Sequence, residues 1–339
     1  MTDAESKPPR VVVTVDLSDE LMQRIREAAP GYRVERHYPE VPEHVWADTE
    51  ILYTINKYPA PEQAPRLRWI QLHFAGVERV LKQPIIQAED IELTSASGIH
   101  ATPMAEYTIG MMLAFNLKIP QTLKNQASAT WPEKRHETFA PKPLRGQTIG
   151  IAGYGSIGRE IARLAQSFGM NVLASKRDAK HTEDTGYSEP GLGDPPGDIP
   201  ERIYPAEALA SMARECDFLV IVTPLTEKTR HSVNEEVLNA MKKTAVLINI
   251  GRGGVVDEKA LISALAADKI AGAALDVFEE EPLPAGSPLW NLDNVIITPH
   301  TSGNNADYHK KAAALFIENL KRYQEKKPLH NRVERKLGY

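Results

Sequence analysis

Three side chains that could bind an anion and move a proton each follow a short apolar run. Arg252 and His300 stand two residues after such runs, and Glu281 stands four residues after another. The planar arginine fork suits a carboxylate, and a histidine beside a carboxylate suits general acid–base chemistry. Alone, Glu281 is explained as a solvated loop charge and His300 as a turn histidine. If the runs are parallel strands, their carboxyl ends share one edge, which favours a common site.

A glycine-rich turn is predicted at the same edge of the sheet. It follows the apolar run Thr148–Ala152 and precedes an amphipathic stretch, in the order strand, turn, helix. The first glycine makes the tight turn, the second admits a pyrophosphate, and the third lets helix pack on strand. The helix N-terminus then points N–H groups at the anion. A plain strand-to-helix turn is the alternative. The predicted contacts are Gly153, Gly155, Ser156, Ile157 and Gly158.

Short β-branched runs alternate with helical patterns, which predicts parallel sheets with crossover helices. Near-continuous apolarity in two of the runs fits strands covered on both faces. The last six strands are the number in two mononucleotide-binding halves. The predicted strands are Val11–Val15, Tyr32–His37, Ile51–Thr54, Trp69–Leu72, Ile91–Thr94, Thr148–Ala152, Asn171–Ala174, Phe218–Val222, Val246–Ile250, Ala273–Val277 and Val295–Thr298.

Two segments stand apart from this alternation. Met104 to Leu117 is apolar on nearly all sides after an N-cap at Thr102, which predicts a helix buried in the protein or in a subunit interface. Residues 178–203 are dense in glycine and proline, which predicts a long loop. A lid over the adenine end of a cofactor and a plain surface excursion are both open. Asp257 is predicted to cap the helix Glu258–Leu265.

Composition excludes several classes of function. The 339 residues suffice for two domains, and 42% hydrophobic with 25% charged residues is near average usage. A net charge of −5 indicates no nucleic-acid partner. Cys216 is the only cysteine, so no disulfide within the chain and no metal site is predicted, and an inert core thiol is expected. Met1–Lys7 lacks the order of a secretion signal, and no apolar run approaches the ~18 residues that span a bilayer. We therefore expect a cytoplasmic protein without a membrane partner.

Several motifs in one order resemble the D-isomer-specific 2-hydroxyacid dehydrogenases, a family that includes glyoxylate and hydroxypyruvate reductases. The resemblance extends from about residue 50 to residue 330. It implies an NAD(P)-dependent oxidoreductase that transfers hydride reversibly between the cofactor and a small 2-keto acid or D-2-hydroxy acid. The matching segments are the glycine turn, Gln71–Glu78, Met104–Glu106, Thr223–Arg230, Asn249–Asp257, Asp276–Leu283 and Thr298–His300.

The resemblance also implies an architecture. The fold would be α/β, with two Rossmann-like or flavodoxin-like domains, parallel sheets, and the cofactor in the cleft between them. Residues 1–101 plus 301–339 would bind substrate, and residues 102–300 would bind the dinucleotide, with the loop 178–203 as an insertion. His300 would lie at a hinge whose closure brings it onto substrate. Family members are usually homodimers, with the helix after Pro103 in the interface.

Residue roles follow from the same resemblance. Arg252 would bind the substrate carboxylate and polarise the carbonyl. His300 would protonate the carbonyl oxygen as hydride arrives, and Glu281 would fix the imidazole tautomer and favour its protonated form. Backbone N–H groups for the carboxylate would come from Ala75, Gly76 and Val77. Asp276 would contact the nicotinamide carboxamide. The rest of the cofactor channel would be lined by Thr223, Pro224, Ile250 and Gly251.

The cofactor prediction depends on one departure from the family pattern. NAD-preferring members place an acidic residue at the end of the second strand of this domain, and Lys176 aligns with it. Ser175, Lys176 and Arg177 offer a hydroxyl and two cations to a 2′-phosphate, so NADP(H) is predicted. Asp178 competes with this interpretation. If the strand runs two residues beyond Lys176, Asp178 would stand at its end, where it could bind the ribose and favour NAD(H).

Other functions share parts of the pattern. Formate dehydrogenases pair glutamine with their histidine, so Glu281 argues against that activity, whereas phosphite dehydrogenases keep the glutamate and remain an alternative. Only 39 residues follow His300, so we expect no regulatory domain of the kind in many 3-phosphoglycerate dehydrogenases. Non-enzymatic C-terminal-binding-protein corepressors retain such a triad too, but nothing here resembles their long tail. Short-chain dehydrogenase spacings at Tyr53–Lys57 and Tyr323–Lys327 lie outside the nucleotide-binding half and are attributed to chance.

Overall fold

The structure is a computed structural model that describes residues 8–184 and 186–338. The chain divides into two compact units, Met1–Ile99 with Ala306–Tyr339, and His100–Asn305. The N-terminal stretch Met1–Lys7 and Thr185 of the predicted loop lie outside the described residues. Among the residues that are described, no helix is both long and apolar enough to cross a bilayer.

Helices and strands alternate through most of both units. In chain order, the α-helices are α1 (Asp19–Ala28), α2 (Ala101–Asn116), α3 (Ile119–Ala127), α4 (Arg135–Thr138), α5 (Ser156–Ser167), α6 (Leu209–Ala213), α7 (Glu235–Ala240), α8 (Glu258–Ala266) and α9 (Tyr308–Gln324). The strands are β1 (Arg10–Val13), β2 (Arg33–Arg36), β3 (Thr49–Thr54), β4 (Trp69–Leu72), β5 (Glu92–Thr94), β6 (Thr148–Ala152), β7 (Asn171–Lys176), β8 (Arg202–Pro205), β9 (Phe218–Ile221), β10 (Val246–Asn249), β11 (Gly272–Leu275) and β12 (Val295–Ile297).

The first unit is built on a sheet of five parallel strands in the order β2-β1-β3-β4-β5. One face is covered by α1 and α9, whose apolar side chains pack with those of β1 and β3 in one cluster. Helix α1 begins where Ser18 caps it, because the Ser18 hydroxyl accepts the N–H of Leu21 at 3.3 Å. The substrate loop that the sequence predicts follows β4 directly.

The second unit is built on seven parallel strands in the order β12-β11-β10-β9-β6-β7-β8. From β6, the chain adds β7 and β8 on one side of the sheet. It then adds β9, β10, β11 and β12 in turn on the other side of β6. The carboxyl ends of β6 and β9 therefore meet at the point where the strand order reverses, which is where open α/β sheets bind ligands. Two apolar clusters fill the two faces of this sheet.

The predicted α/β fold with parallel sheets is confirmed, but the predicted count of six strands in the second half is wrong. The extra strand, β8, pairs with β7 at the edge of the sheet and begins inside the predicted loop 178–203. It has four residues, is only partly buried and ends in proline. A short edge strand carries little of the apolar pattern from which strands are predicted.

Helix α2 differs from its prediction in two ways. It begins at Ala101 after an N-cap at His100, so the predicted N-cap at Thr102 lies inside the helix. Its buried side chains line one face, against α5, while Glu106 and Gly110 are exposed. The all-round burial predicted from its composition is therefore not found within this chain. The cap predicted at Asp257 is confirmed, since its carboxylate accepts the N–H of Ala260 at 3.0 Å.

The loop after β7 is attached to α5 by buried charged groups. Arg159, which is 2% exposed, donates to the carbonyls of Thr182 and Asp194. The Asp194 carboxylate accepts the Tyr154 hydroxyl at 2.6 Å, and the Glu160 carboxylate accepts the Gly193 N–H at 2.7 Å. Buried charges are tolerated when they are paired in this way. The described part of this loop is thus fixed to the helix that follows the glycine turn.

Candidate active site

The glycine turn joins β6 to α5, and its three glycines differ in what surrounds them. Gly153 has φ +107°, and a Cβ there would lie 2.9 Å from the Val222 carbonyl oxygen. A Cβ on Gly158 would lie 2.2 Å from the carbonyl oxygen of Gly153, so only glycine lets helix and strand pack this closely. A Cβ on Gly155 would meet no described atom within 4 Å. The first and third glycines thus serve the fold, and the second faces open space, as close approach of a ligand requires.

The N-terminus of α5 carries the other predicted phosphate contacts. Ser156 and Ile157 lie in its first turn, where an α-helix leaves N–H groups without intrahelical partners. Both residues are partly exposed. The turn therefore presents backbone donors and the positive end of the helix dipole on the same side as the open space at Gly155.

Other predicted cofactor residues follow the next two strands of the sheet: Thr223 and Pro224 come after β9, and Ile250 and Gly251 come after β10. Thr223 has a buried hydroxyl oxygen with no hydrogen-bond partner among the described residues. Burying a hydroxyl unpaired is unfavourable, so this oxygen fits a donor or acceptor supplied by a bound molecule. Gly251 lies against the same segment, since a Cβ there would be 2.8 Å from the Thr223 carbonyl oxygen. The side chain of Ile250 is 2% exposed and belongs to the core.

Arg252 lies in a turn that Asn249 holds from both sides. The Asn249 amide oxygen accepts the N–H of Gly251 at 3.1 Å, and its NH₂ donates to the Arg252 carbonyl at 3.2 Å. Gly253 brings this turn onto the next loop, because a Cβ there would lie 1.8 Å from the Phe278 carbonyl carbon. The sequence contained Asn249 within a recognised motif, but its role in shaping the turn required the structure.

His300 and Glu281 are brought together as predicted. The imidazole Nδ1 of His300 lies 2.8 Å from Oε2 of Glu281, and Glu281 Oε1 accepts the Phe278 N–H at 3.1 Å. A carboxylate only accepts hydrogen bonds, so Nδ1 carries the proton and Nε2 is the ring nitrogen that can exchange one. The two side chains are 50% and 29% exposed, so the pair remains accessible to a small molecule.

Asp276 is buried at the end of β11, and its carboxylate holds the loop that carries His300. Oδ1 accepts the Thr298 hydroxyl at 2.6 Å and the Thr301 N–H at 2.8 Å, and Oδ2 accepts the Ser302 N–H at 2.9 Å. The Asp276 carbonyl also accepts the N–H of His300 at 2.8 Å. The predicted contact with a nicotinamide carboxamide stays a prediction, because this carboxylate is 0% exposed and serves the loop.

The end of β7 lies beside the glycine turn, where the Gly153 N–H bonds the Ser175 carbonyl at 3.0 Å. β7 runs to Lys176, two residues beyond its predicted end. The Lys176 ammonium donates to the carbonyls of His181 and Glu183, at 2.5 and 3.3 Å, so it is engaged with the following loop. The Asp178 carboxylate pairs with the His181 ring at 2.6 Å. Arg177 is exposed.

The predicted substrate loop, Ala75 to Val77, lies in the first unit, directly after β4. His73, next to this loop, is a core residue, because it is 2% exposed. His73 bonds the Tyr53 hydroxyl at 2.6 Å through Nδ1 and the His309 ring at 3.0 Å through Nε2. Burial, with the nearby His309, lowers the pKa of His73 to about 3. A neutral histidine therefore anchors the start of this loop.

The chain is similar in sequence to known proteins over most of its length. Residues 109–302 match the family described as D-isomer specific 2-hydroxyacid dehydrogenase, NAD binding domain. A glyoxylate reductase of Aeropyrum pernix is 31% identical over 98% of this chain and 97% of its own length. A D-3-phosphoglycerate dehydrogenase of Methanocaldococcus jannaschii is 35% identical over 77% of this chain, which spans only 46% of that protein.

The fold is similar to that of solved structures as well. An NADPH-dependent glyoxylate/hydroxypyruvate reductase from Sinorhizobium meliloti, solved with NADP and sulfate, has a TM-score of 0.76 and is 25% identical. The match covers 98% of this chain and all of that one. This chain belongs to the D-isomer specific 2-hydroxyacid dehydrogenase family. It is an NAD(P)-dependent oxidoreductase of 2-hydroxy acids, and the family predicted from its motifs is confirmed.

Proposed function

We propose that this protein reduces a small 2-keto acid of the glyoxylate or hydroxypyruvate type, with NADP(H) as its preferred cofactor. The observation that carries the proposal is the His300–Glu281 pair, 2.8 Å apart, in which Glu281 lies on the loop that packs against the turn of Arg252. This pair is suited to acid–base chemistry, and the Arg252 side chain is suited to binding an anion. All three residues follow strands whose carboxyl ends form the same sheet edge as the glycine turn.

The proposed division of labour follows from each residue's chemistry. Arg252 binds the substrate carboxylate bidentately, assisted by backbone N–H groups of Ala75, Gly76 and Val77. The nicotinamide supplies a hydride to the carbonyl carbon. His300 Nε2 gives its proton to the carbonyl oxygen, which becomes the 2-hydroxyl, and solvent returns a proton to the ring. Glu281 keeps the proton on Nδ1 and stabilises the charged imidazole. In the reverse direction, neutral Nε2 takes the hydroxyl proton.

The dinucleotide is assigned to the unit of residues 100–305. The glycine turn with Ser156 and Ile157 would bind the pyrophosphate, and Thr223, Pro224, Ile250 and Gly251 would line the nicotinamide end, Ile250 through its backbone. The unpaired Thr223 hydroxyl and the open space at Gly155 support this assignment. Ser175, Lys176 and Arg177 would bind the 2′-phosphate, and no acid stands at the position of Lys176 to repel it. The NADP-bound Sinorhizobium relative supports the same preference.

A single substrate panel tests the proposal. NADPH and NADH oxidation would be followed at saturating cofactor with glyoxylate, hydroxypyruvate, pyruvate, phenylpyruvate and 2-ketoisocaproate, and cofactor reduction with phosphite. We expect the highest kcat/KM with glyoxylate or hydroxypyruvate and NADPH. Activity with phosphite alone would assign the site to the phosphite-dehydrogenase chemistry that the sequence left open. A preference for NADH would indicate that Asp178 binds the ribose and that Lys176 and Arg177 bind no 2′-phosphate.

A matched pair of variants ties that activity to the site. His231 forms a second histidine–glutamate pair in the same unit, 2.8 Å from Glu279. His300→Gln should abolish reduction, whereas His231→Gln should leave it unchanged. Equal activity of the two variants would remove His300 from the mechanism.

We further propose that the protein is a homodimer through α2, α3 and the segment that follows. Four apolar side chains are exposed there: Leu117 (47%), Ile119 (40%), Leu123 (58%) and Trp131 (81%). Several large apolar side chains exposed within one short stretch of chain are typical of protein interfaces. Sedimentation equilibrium should give twice the 37.6 kDa chain mass, and Leu123→Glu with Trp131→Glu should shift it toward the single-chain value. A single-chain mass for the unmodified protein would contradict the dimer.

A further inference from the structure

We propose that Tyr107 and Thr298 are positioning residues for His300, acting through the buried carboxylate of Asp276. The inference rests on the proposed role of His300 as proton donor. Tyr107 lies on α2, and its hydroxyl is 2.7 Å from the Thr298 hydroxyl, which is in turn 2.6 Å from Asp276 Oδ1. Neither hydroxyl contacts the His300–Glu281 pair in the described hydrogen bonds, so any effect on catalysis must pass through the backbone.

The direction of this chain of hydrogen bonds is fixed by its end. The Asp276 carboxylate only accepts, so the Thr298 hydroxyl must donate its one proton to it. The Thr298 oxygen then has only acceptor capacity left, and Tyr107 must be the donor. Burial is the main cause that raises the pKa of the Tyr107 hydroxyl to about 12, so it keeps that proton at every pH at which the protein would work. The result is an ordered relay from Tyr107 through Thr298 to Asp276.

What the relay holds is the backbone on either side of His300. His300 has φ +55°, a left-handed conformation that non-glycine residues adopt only when their surroundings impose it. The same Asp276 carboxylate accepts the N–H groups of Thr301 and Ser302, and its carbonyl accepts that of His300. Thr298 is therefore tied to the carboxylate from one side of His300, and residues 301 and 302 are tied to it from the other.

A second bond from the start of α2 reaches the same loop. His100 Nδ1 lies 3.1 Å from the Gly303 carbonyl oxygen, and a Cβ on Gly303 would come within 3.0 Å of that nitrogen. The ring of His100 thus lies against the loop just after its ties to Asp276. His100, the N-cap of α2, therefore contacts Gly303, and Tyr107 of α2 contacts Thr298. His300 lies between these two contact points of the loop.

Loss of the relay should affect turnover and not the binding of substrate or cofactor. Without the relay, His300 keeps its partner Glu281 but samples other backbone positions, so the proton donor is misplaced for part of the time. In the described hydrogen bonds, Tyr107 and Thr298 are not linked to Arg252 or to the glycine turn. Loss of either hydroxyl should therefore lower kcat, and leave KM and cofactor affinity nearly unchanged.

The test is a double-mutant cycle with a conservative variant. Tyr107→Phe and Thr298→Val each remove one hydroxyl and keep the shape, and each should lower kcat by about 10-fold, the scale of one hydrogen bond to a charged group. The double variant should be no slower than Thr298→Val. Both hydroxyls act through the same bond to Asp276, so once that bond is lost the second substitution has no further effect. Thr298→Ser, which keeps the hydroxyl, should restore most of the rate. Tyr204→Phe, which loses a hydroxyl bonded to Glu215 at 2.5 Å, is the matched control and should leave kcat unchanged.

Two kinetic results would overturn the relay: kcat within 2-fold of the parent in both single variants, or effects that multiply in the double variant. If Tyr107→Phe fails to fold, the contrast between Thr298→Val and Thr298→Ser decides. Imidazole ¹⁵N spectra give a readout that needs no turnover. The His300 signals, assigned from His300→Gln, should shift or broaden in the relay variants while those of His231 stay. The spectra can be recorded even if none of the proposed 2-keto acids is reduced, so failure of the proposed substrate and failure of the relay are separate results. Unchanged His300 signals in the relay variants would refute the relay.

Discussion

Glu281 holds His300 by one carboxylate oxygen, at 2.8 Å from Nδ1, while its other oxygen accepts the backbone N–H of Phe278 at 3.1 Å. The acidic partner is therefore fixed to its own loop before it meets the histidine. Such a carboxylate can orient the ring and stabilise its positive charge at the same time, and these two contributions can be separated by experiment.

Glu281→Gln should preserve the geometry and remove the charge. We expect kcat for reduction to fall roughly 10- to 100-fold, since a positioned acid contributes on this scale or above. Without the facing negative charge, the positive charge of the ring as proton donor loses its electrostatic partner, while the hydrogen bond to Nδ1 can still orient the ring. Glu279→Gln, in the His231 pair, is the control. A kcat equal to that of the parent would show that Glu281 only orients the ring.

Arg252→Ala should abolish carboxylate binding and leave the dinucleotide bound. Charge-assisted hydrogen bonds of this kind contribute about 1.5–3 kcal/mol, so kcat/KM should fall by about 10- to 100-fold or more. NADPH affinity, measured by fluorescence titration, should stay within about 2-fold. Arg252→Lys should recover little, because an ammonium cannot form two parallel bonds. Undiminished turnover in Arg252→Ala would exclude the residue from substrate binding.

Lys176 and Arg177 should differ when they are changed one at a time. Lys176 also bonds the carbonyls of His181 and Glu183, so Lys176→Ala should loosen the loop and weaken both cofactors, but NADPH more than NADH. Arg177→Ala should weaken NADPH by roughly 10-fold and NADH hardly at all, because only the former has a 2′-phosphate. The double variant should still lose more NADPH than NADH affinity. Equal losses for both cofactors in Arg177→Ala would mean that its charge is merely solvated.

Protonation of His73 should destabilise the first unit in acid. Its pKa is lowered from 6.5 to about 3, so the unfolded chain binds the proton more readily and stability is lost as pH falls below 6.5. Between pH 7 and 5 the loss from this group should be about 2 kcal/mol. The free energy of unfolding, measured with urea at pH 7 and pH 5, should differ less between the two pH values in His73→Gln than in the parent. In His44→Gln, which changes an exposed histidine of the same unit, the difference should equal that of the parent. An identical pH dependence in both variants would contradict the buried neutral state.

Strongly patterned elements were predictable from the sequence and marginal ones were not. β4 and β6 have the bounds expected, because each is a buried apolar run ended by a turn. β8 was missed because only one of its four residues is fully buried, so its sequence has little apolar pattern, and it is a strand through its pairing with β7. The start of α2 was displaced because its cap uses no side-chain hydrogen bond, whereas Asp257, which does cap α8, was predicted correctly.

The site was predictable only where a motif fixes the chemistry. His300 and Glu281 were paired in advance from residue type and strand order, and they are in contact. The partners of Lys176 and Asp276 could not be predicted, since they come from segments distant in sequence or from backbone carbonyls. Tyr107 and Thr298 are 191 positions apart, and no periodicity relates them. Such contacts follow from packing, which the order of residue types does not encode locally.

Gly253 leaves no space between the turn of Arg252 and the peptide after Phe278. The backbone that carries Arg252 and the loop that carries Glu281 therefore pack directly against each other, which keeps these two attachment points at a constant separation. A 3-keto acid has its ketone one carbon further from its carboxylate, so its carbonyl oxygen would be misplaced for the proton donor once the carboxylate is bound. We expect 3-keto acids such as acetoacetate to be rejected whatever their side chains.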